Sequence, residues 1–226
     1  MEIKILGIND PFPPIYEADS DGLLAIGADL SPNRLIRAYK LGIFPWFSEY
    51  DPILWYSPDP RFVLFPKDLI IRKSMRTYFN SDKLRVSYDY NFNEVIRMCA
   101  SINRRGQIGT WITEDMISAY NKLHELGYAH SVEVWKENKI VGGLYGISIG
   151  KIFFGESMFT LIPNASKFGF ISLVQKLEDE NYYLVDCQQK TKHLVSLGAM
   201  GISRSEFKMY LDLNAKNRDI CSFWKL

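Results

Sequence analysis

Apolar positions along the chain switch between two periods, and the switches outline the fold. A helix is predicted from Ser31, with Pro32 at its first position, Leu35, Ile36 and Tyr39 on one face, and Gly42 as its stop. The same spacing predicts a helix from Asp89 to about Ala100, with Phe92, Val95, Ile96 and Cys99 turned inward. Thr113 caps a third helix, with Met116, Tyr120 and Leu123 on its apolar face and Gly127 at its end. Period-two alternation then takes over. His130–Lys136 turns at Glu137-Asn138, returns through Ile140–Ile149, and turns again at Gly150-Lys151 into Ile152–Phe159. A long helix from about Asn164 to Glu180 carries Phe170, Leu173, Val174 and Leu177 on one stripe. A strand over Tyr182–Gln188 follows, then short helices near Thr191–Leu197 and Ser203–Leu213.

Three antiparallel strands and a strand–helix–strand crossover make a mixed sheet. A right-handed crossover puts the ends at Phe159 and Gln188 on one edge of that sheet. Sites in open sheets form outside the carboxyl ends of parallel strands, so chemistry is expected there.

The first 60 residues have a different texture. Eight of the ten prolines fall between Pro11 and Pro60, which predicts loops and short elements rich in aromatics, such as Ile43–Phe47 and Ile53–Arg61. The expected class is therefore α+β, with a small unit over 1–62 and a larger one over 63–226.

At 47% hydrophobic and 23% charged residues, the chain is an ordinary globular protein. No apolar run of about 18 residues could span a membrane, and the N-terminus does not read as a signal peptide. Cys99, Cys187 and Cys221 are far apart and odd in number, and His124, His130 and His193 lack ligand spacing. Neither a disulfide framework nor a metal site is expected, and the chain reads as cytoplasmic.

Net charge is only +1, but it is uneven: residues 61–85 hold seven basic residues against two acidic ones. Arg61, Arg72, Lys73 and Arg76 are candidates for tracking a phosphate backbone, and a solvated helix face is the competing reading. Trp46 and Trp111 stand beside turns, where their rings could stack a nucleobase or simply fill the core. On simple alternation, Phe154, Glu156 and Met158 share one strand face, and Leu184, Asp186 and Gln188 share another. Two carboxylates and an amide thus meet at the expected sheet edge. They suit acid–base or orienting work, or serve as buried anchors for loop amides.

The mixed sheet suggests, by analogy, an acetyl-CoA-dependent acetyltransferase of the GNAT type. Such a site needs a glycine-rich loop opening the helix after Phe159, to cradle a pyrophosphate. The loop Thr160–Lys167 has no glycine, and Pro163 removes a donor. The sheet fits an acetyltransferase and the loop does not. A non-catalytic tRNA- or RNA-binding module is the alternative of another class.

Several segments, in order, resemble the leucyl/phenylalanyl-tRNA–protein transferases. They include Gly22–Ser31, Gly42-Ile43-Phe44-Pro45-Trp46, Pro52–Arg61, Thr110-Trp111-Ile112-Thr113 and Leu123–Trp135. Val141–Gly146, Phe154-Gly155-Glu156-Ser157-Met158-Phe159, Asn164-Ala165-Ser166-Lys167, Asp186-Cys187-Gln188 and His193–Ala199 continue the match, which runs from about residue 12 to 211. The resemblance implies a small N-terminal domain followed by a GNAT-like one, and a cytoplasmic enzyme that needs no cofactor and works as a monomer. It implies transfer of Leu or Phe, and less well Met, from charged tRNA to proteins beginning with Arg or Lys, marking them for degradation. It further implies that Trp46 and Trp111 flank the terminal adenosine. Leu144, Phe153, Met158, Thr160, Phe170 and Val185 correspond to the aminoacyl pocket. Glu156, Asp186 and Gln188 correspond to the polar centre; there Asp186 is expected to hold Gln188 and support proton removal from the attacking amine, and Glu156 to orient the incoming ammonium or the donor's α-amino group. Ala28 stands where the family usually has a second glycine, Ile71 where a histidine is usual, and Phe168 and Phe170 are larger than common. The loop 101–109 is a few residues longer than usual.

Overall fold

The computed structural model describes residues 3–81, 83–102, 110–220 and 222–224. Most of the polar, glycine-containing loop expected at 101–110 therefore lies outside the described residues. The chain is α+β. A small sheet is ordered β1 (Lys4–Leu6), β2 (Leu23–Gly27), β4 (Leu54–Tyr56) and β3 (Phe44–Pro45), with helix α1 (Pro32–Lys40) between β2 and β3. Helix α1 forms where its pattern predicts: Pro32 sits in the first turn, and Leu35, Ala38 and Tyr39 are fully buried. Gly42 reverses the chain at φ +78°, and a side chain there would collide with Leu211 and Phe207.

Ala28 also has positive φ, +63°, and its N–H donates to the Leu6 carbonyl (2.7 Å). A left-handed conformation costs a non-glycine residue about 1–2 kcal/mol, a cost that glycine does not carry. Ala28→Gly is expected to stabilise the protein by about 1 kcal/mol, a rise in Tm of roughly 2–4 °C by scanning calorimetry. An unchanged or lower Tm would show that the turn tolerates its alanine without strain.

The larger sheet is ordered β11 (Met200–Ile202), β5 (Arg61–Leu64), β10 (Leu184–Gln188), β9 (Ile152–Thr160), β8 (Lys139–Ile149), β7 (Ala129–Lys136) and β6 (Arg85–Tyr88). The hairpins β7–β8 and β8–β9 turn where the alternation predicts, and β9 and β10 lie side by side in parallel. Helices α3 (Phe92–Ser101) and α4 (Glu114–Glu125) cover one face together with the N-terminal unit, in a core that joins Tyr39, Phe92, Tyr120, Tyr145, Phe154 and Phe159. Helix α5 (Ala165–Asp179) covers the other, with Val132, Leu144, Phe153, Phe170, Leu173 and Val185.

Two expectations need correction here. Helix α3 starts after Asn91, whose side chain caps it, and not at Asp89. Asp89 instead sits at φ +54° beyond β6 and accepts a hydrogen bond from the Ser131 N–H. Segment 61–85 is not one charged face either, because it contains the buried strand β5, helix α2 (Lys73–Phe79) and the start of β6.

Candidate active site

The parallel pair β9–β10 ends at a cavity of about 500 Å³ under the N-terminal unit. Its wall is apolar where Leu144, Phe153, Met158, Phe170, Val185 and Leu194 meet. Phe44, Pro45 and Trp46 line it from the N-terminal unit, and Trp111, just before α4, lines it as well. Trp46 is 38% exposed and Trp111 is buried. Between these two linings stand Glu156 and Gln188.

Both polar side chains are set by irregular backbone. On β9, Gly155 pairs with Gly146 and Ser157 with Tyr145, which leaves Glu156 as an extra residue in a bulge. Such a bulge resets the alternation. Phe154 and Phe159 therefore face one core, while Phe153 joins the other with Met158 packed against it. The expectation that Phe154, Glu156 and Met158 share a face fails for this reason. On β10 the register with β5 shifts between Asp186 and Gln188, and Gln188 takes φ +60°. Its amide Nε2 then donates to Glu156 Oε1 (2.9 Å).

Glu156 is the hub of a hydrogen-bonded cluster. Tyr39 O–H donates to Oε1 (2.7 Å) and Tyr120 O–H to Oε2 (3.2 Å), and the two phenol oxygens also touch each other. Three oxygen–oxygen contacts close a ring. The two phenol hydrogens fill only two of them when Glu156 is ionised, and the carboxylic proton fills the third. Burial pushes the Glu156 carboxyl up to about 7. The hydrogen bonds from Tyr39 and Tyr120 work against that rise, and the nearby charge of Asp186 adds to it. Burial, then the charge of Glu156, holds both phenols well above their ordinary value, so they remain donors. Sequence reasoning placed Tyr39 and Tyr120 on apolar helix faces. The signal it passed over is that a fully buried tyrosine hydroxyl requires a partner.

Asp186 is fully buried, and its two oxygens accept from Arg61: Nε to Oδ1 (2.8 Å) and Nη2 to Oδ2 (2.6 Å). Oδ1 also accepts the backbone N–H of Gln188 (2.9 Å), which fixes the left-handed turn. The third guanidinium nitrogen of Arg61 donates to the Gly42 carbonyl (3.1 Å), and the group lies between the rings of Phe44 and Phe207. Arg61 is 1% exposed. It is therefore no candidate for a phosphate contact, which corrects the sequence expectation. Arg72, Lys73 and Arg76 are exposed, outside the cavity.

Thr160 needs a second correction. It is exposed and absent from the cavity wall; its hydroxyl donates to the Ile162 carbonyl (2.6 Å) and accepts the Ser166 N–H (3.4 Å). The Ala165 N–H is taken by the Ile162 carbonyl (3.3 Å), so two donors at the start of α5 are already occupied. Phe170 lines the cavity, while Phe168 packs on Phe79. Cys187 also borders the cavity, but burial and the Asp186 charge push its thiol up, so it stays protonated. Among the described residues no cluster of His, Cys, Asp or Glu could hold a metal ion, and no helix is long and apolar enough to cross a membrane.

Comparison with known proteins gives consistent matches. Residues 63–212 match the family model "Leucyl/phenylalanyl-tRNA protein transferase", and residues 28–59 match the model of that family's N-terminal domain. A leucyl/phenylalanyl-tRNA–protein transferase of Christiangramia forsetii is 56% identical over 89% of this chain and 96% of its own length. One from Flavobacterium johnsoniae is 56% identical over 88% and 94%. Among solved structures, a GCN5-related N-acetyltransferase from Kribbella flavida aligns over 74% of this chain and 60% of its own, at 10% identity and a TM-score of 0.38.

Proposed function

Since this chain belongs to the leucyl/phenylalanyl-tRNA–protein transferase family, we propose that its cavity takes the aminoacyl end of a charged tRNA and passes the amino acid to a protein's N-terminus. The chain is an aminoacyltransferase. The donor carries Leu or Phe, and less readily Met; the acceptor begins with Arg or Lys, and the product is marked for degradation. Both substrates are cytoplasmic molecules, so the reaction belongs in the cytoplasm. The proposed enzyme is a monomer, and its reaction calls on no cofactor.

The observation that carries this reading is the carboxyl of Glu156, held near neutral pKa between an apolar pocket and a pair of tryptophans. The apolar wall suits a Leu, Phe or Met side chain, and Trp46 and Trp111 suit the faces of the terminal adenine. That arrangement leaves the ester carbonyl beside Glu156 and Gln188. An N-terminal amine has an ordinary pKa of about 7.7–8.0, so a useful fraction is neutral near pH 7, and a base near 7 suits removal of the proton that turns acidic as the amine attacks. The acceptor amine reacts in its neutral form, its ammonium proton already lost to solvent: its nitrogen bonds to the carbonyl carbon, Glu156 accepts the N–H proton that this bond makes acidic, and the ester C–O bond breaks. The leaving 3′-oxygen then takes the proton back from Glu156. Gln188 holds Glu156 through Nε2 and offers its amide oxygen to the amine. Asp186 is a positioning residue in this scheme, acting through the backbone of Gln188. That assignment moves proton acceptance from the Asp186–Gln188 pair to Glu156. Positioning two reactants contributes up to about 7–11 kcal/mol, so a single base suffices for an activated ester.

The donor preference tests the pocket. Leu, Phe and Met are unbranched at Cβ, whereas Val and Ile are branched there, and one methylene in an apolar pocket discriminates by roughly 10–200-fold. Transfer from Leu-tRNA and Phe-tRNA is expected to exceed transfer from Val-tRNA and Ile-tRNA by that order, measured as initial rates onto an Arg-starting peptide. Equal rates for Leu-tRNA and Val-tRNA would remove the aminoacyl side chain from this cavity.

A further inference from the structure

A second hollow, of about 470 Å³, backs onto the aminoacyl cavity and is lined by Arg72, Lys190, Lys192, Val195 and Ser196. The two share a wall one backbone thick. Along residues 189–196, Gln189, Thr191 and Leu194 line the first cavity, and Lys190, Lys192, Val195 and Ser196 line the second. Three cations and no carboxylate line this hollow. Among the described residues, none of the three forms an ion pair, and all are exposed. The opposite flank has the reverse sign. Residues 47–53 and 112–115, next in sequence to Trp46 and Trp111, line a cleft bearing Glu49, Asp51, Glu114 and Asp115, where Arg97 pairs with Glu114.

We propose that Lys190 and Lys192, with Arg72 across the hollow, hold the phosphates of the donor's single-stranded 3′ end as it leaves the aminoacyl cavity. The inference rests on the transferase reading of that cavity. A strand whose terminal adenosine sits at the tryptophans carries a phosphate at each nucleotide beyond it. The carboxylates of the opposite cleft repel phosphates, while the basic hollow is separated from the reacting ester by only the 189–196 backbone. An acceptor beginning with Arg or Lys has the wrong sign for the hollow. Cations against phosphates act as point charges and read no base, so they fix the path of the strand and not its sequence.

The test compares two donors, Leu-tRNA and 3′-O-leucyl-adenosine, which has no phosphate, with the wild type and Lys190→Ala/Lys192→Ala. In the double variant KM for Leu-tRNA is expected to rise by about tenfold or more. The slope of log KM against log salt should fall by about 0.7 for each single-strand phosphate that the variant no longer neutralises. Lys190→Arg/Lys192→Arg should keep the wild-type KM and slope. Turnover of leucyl-adenosine, and KM for the Arg-starting peptide, should not change, which also shows that the variant is folded. An unchanged KM and salt slope for Leu-tRNA would overturn the proposal, as would an equal loss with both donors. A rise confined to the acceptor peptide would assign the hollow to the protein substrate instead. Wild-type protein that uses neither donor would overturn the transferase reading itself.

Discussion

Replacing Glu156 by Gln is expected to lower single-turnover transfer by about 10²–10⁴-fold, the usual size of acid–base assistance. The exchange keeps the size of the side chain and a set of partners for Tyr39, Tyr120 and Gln188, and removes only the titrating proton. The pH profile separates this from simple misplacement. In the wild type the rate should climb through two ionisations, one near 7 from Glu156 and one at about 7.7–8.0 from the acceptor amine. In the variant only the second should remain. The sign follows from the chemistry: the base must be ionised and the nucleophile neutral, so both steps raise the rate as pH rises. Donor affinity should be unchanged, because the loss is confined to the transition state. A Glu156→Gln protein with the wild-type rate and both ionisations would exclude Glu156 as the base.

The other large effect concerns Arg61 and Asp186. Asp186→Ala or Arg61→Ala leaves a single charge fully buried, which costs about 3–5 kcal/mol. For a chain of this size that is a fall in Tm of roughly 6–20 °C. In Asp186→Ala transfer should fall as well, because the Gln188 N–H loses the acceptor that fixes its left-handed turn. Stability and activity can be parted. Arg61→Met with Asp186→Leu removes both charges and should regain most of the lost stability, as apolar replacement of buried pairs often does. It should not regain transfer. A double variant that transfers at the wild-type rate would show that the turn at Gln188 forms without Asp186.

The central hairpins were legible because turn residues and alternation agree there. Glu137-Asn138 and Gly150-Lys151 punctuate three runs whose inward residues are the buried ones. The helices were legible by their stripes, and the start of α3 was missed because Asp89 also carries the chemistry of a cap. Strands β6 and β11 are short and β5 follows a proline-rich stretch; their place depends on partners distant in sequence. In the site, Glu156, Asp186 and Gln188 were found because two strand ends converge on one sheet edge. Their faces were misjudged because a bulge and a register shift lie at those residues. Arg61 was misread for a plain electrostatic reason. A count of charges along 61–85 cannot distinguish an arginine between two aromatic rings from one in water. Thr160, placed in the pocket by resemblance alone, continues strand β9 beyond the cavity and bonds its own loop.

The most direct measurement follows the acyl group itself. The protein is incubated with Leu-tRNA labelled in leucine and a peptide beginning with Arg, and in parallel with labelled acetyl-CoA and the same peptide. Transfer of leucine to the peptide's α-amino group, none to a peptide whose N-terminus is blocked, and none of the acetyl group, is the predicted result. Acetyl transfer, or leucine released only as the free acid, would contradict it.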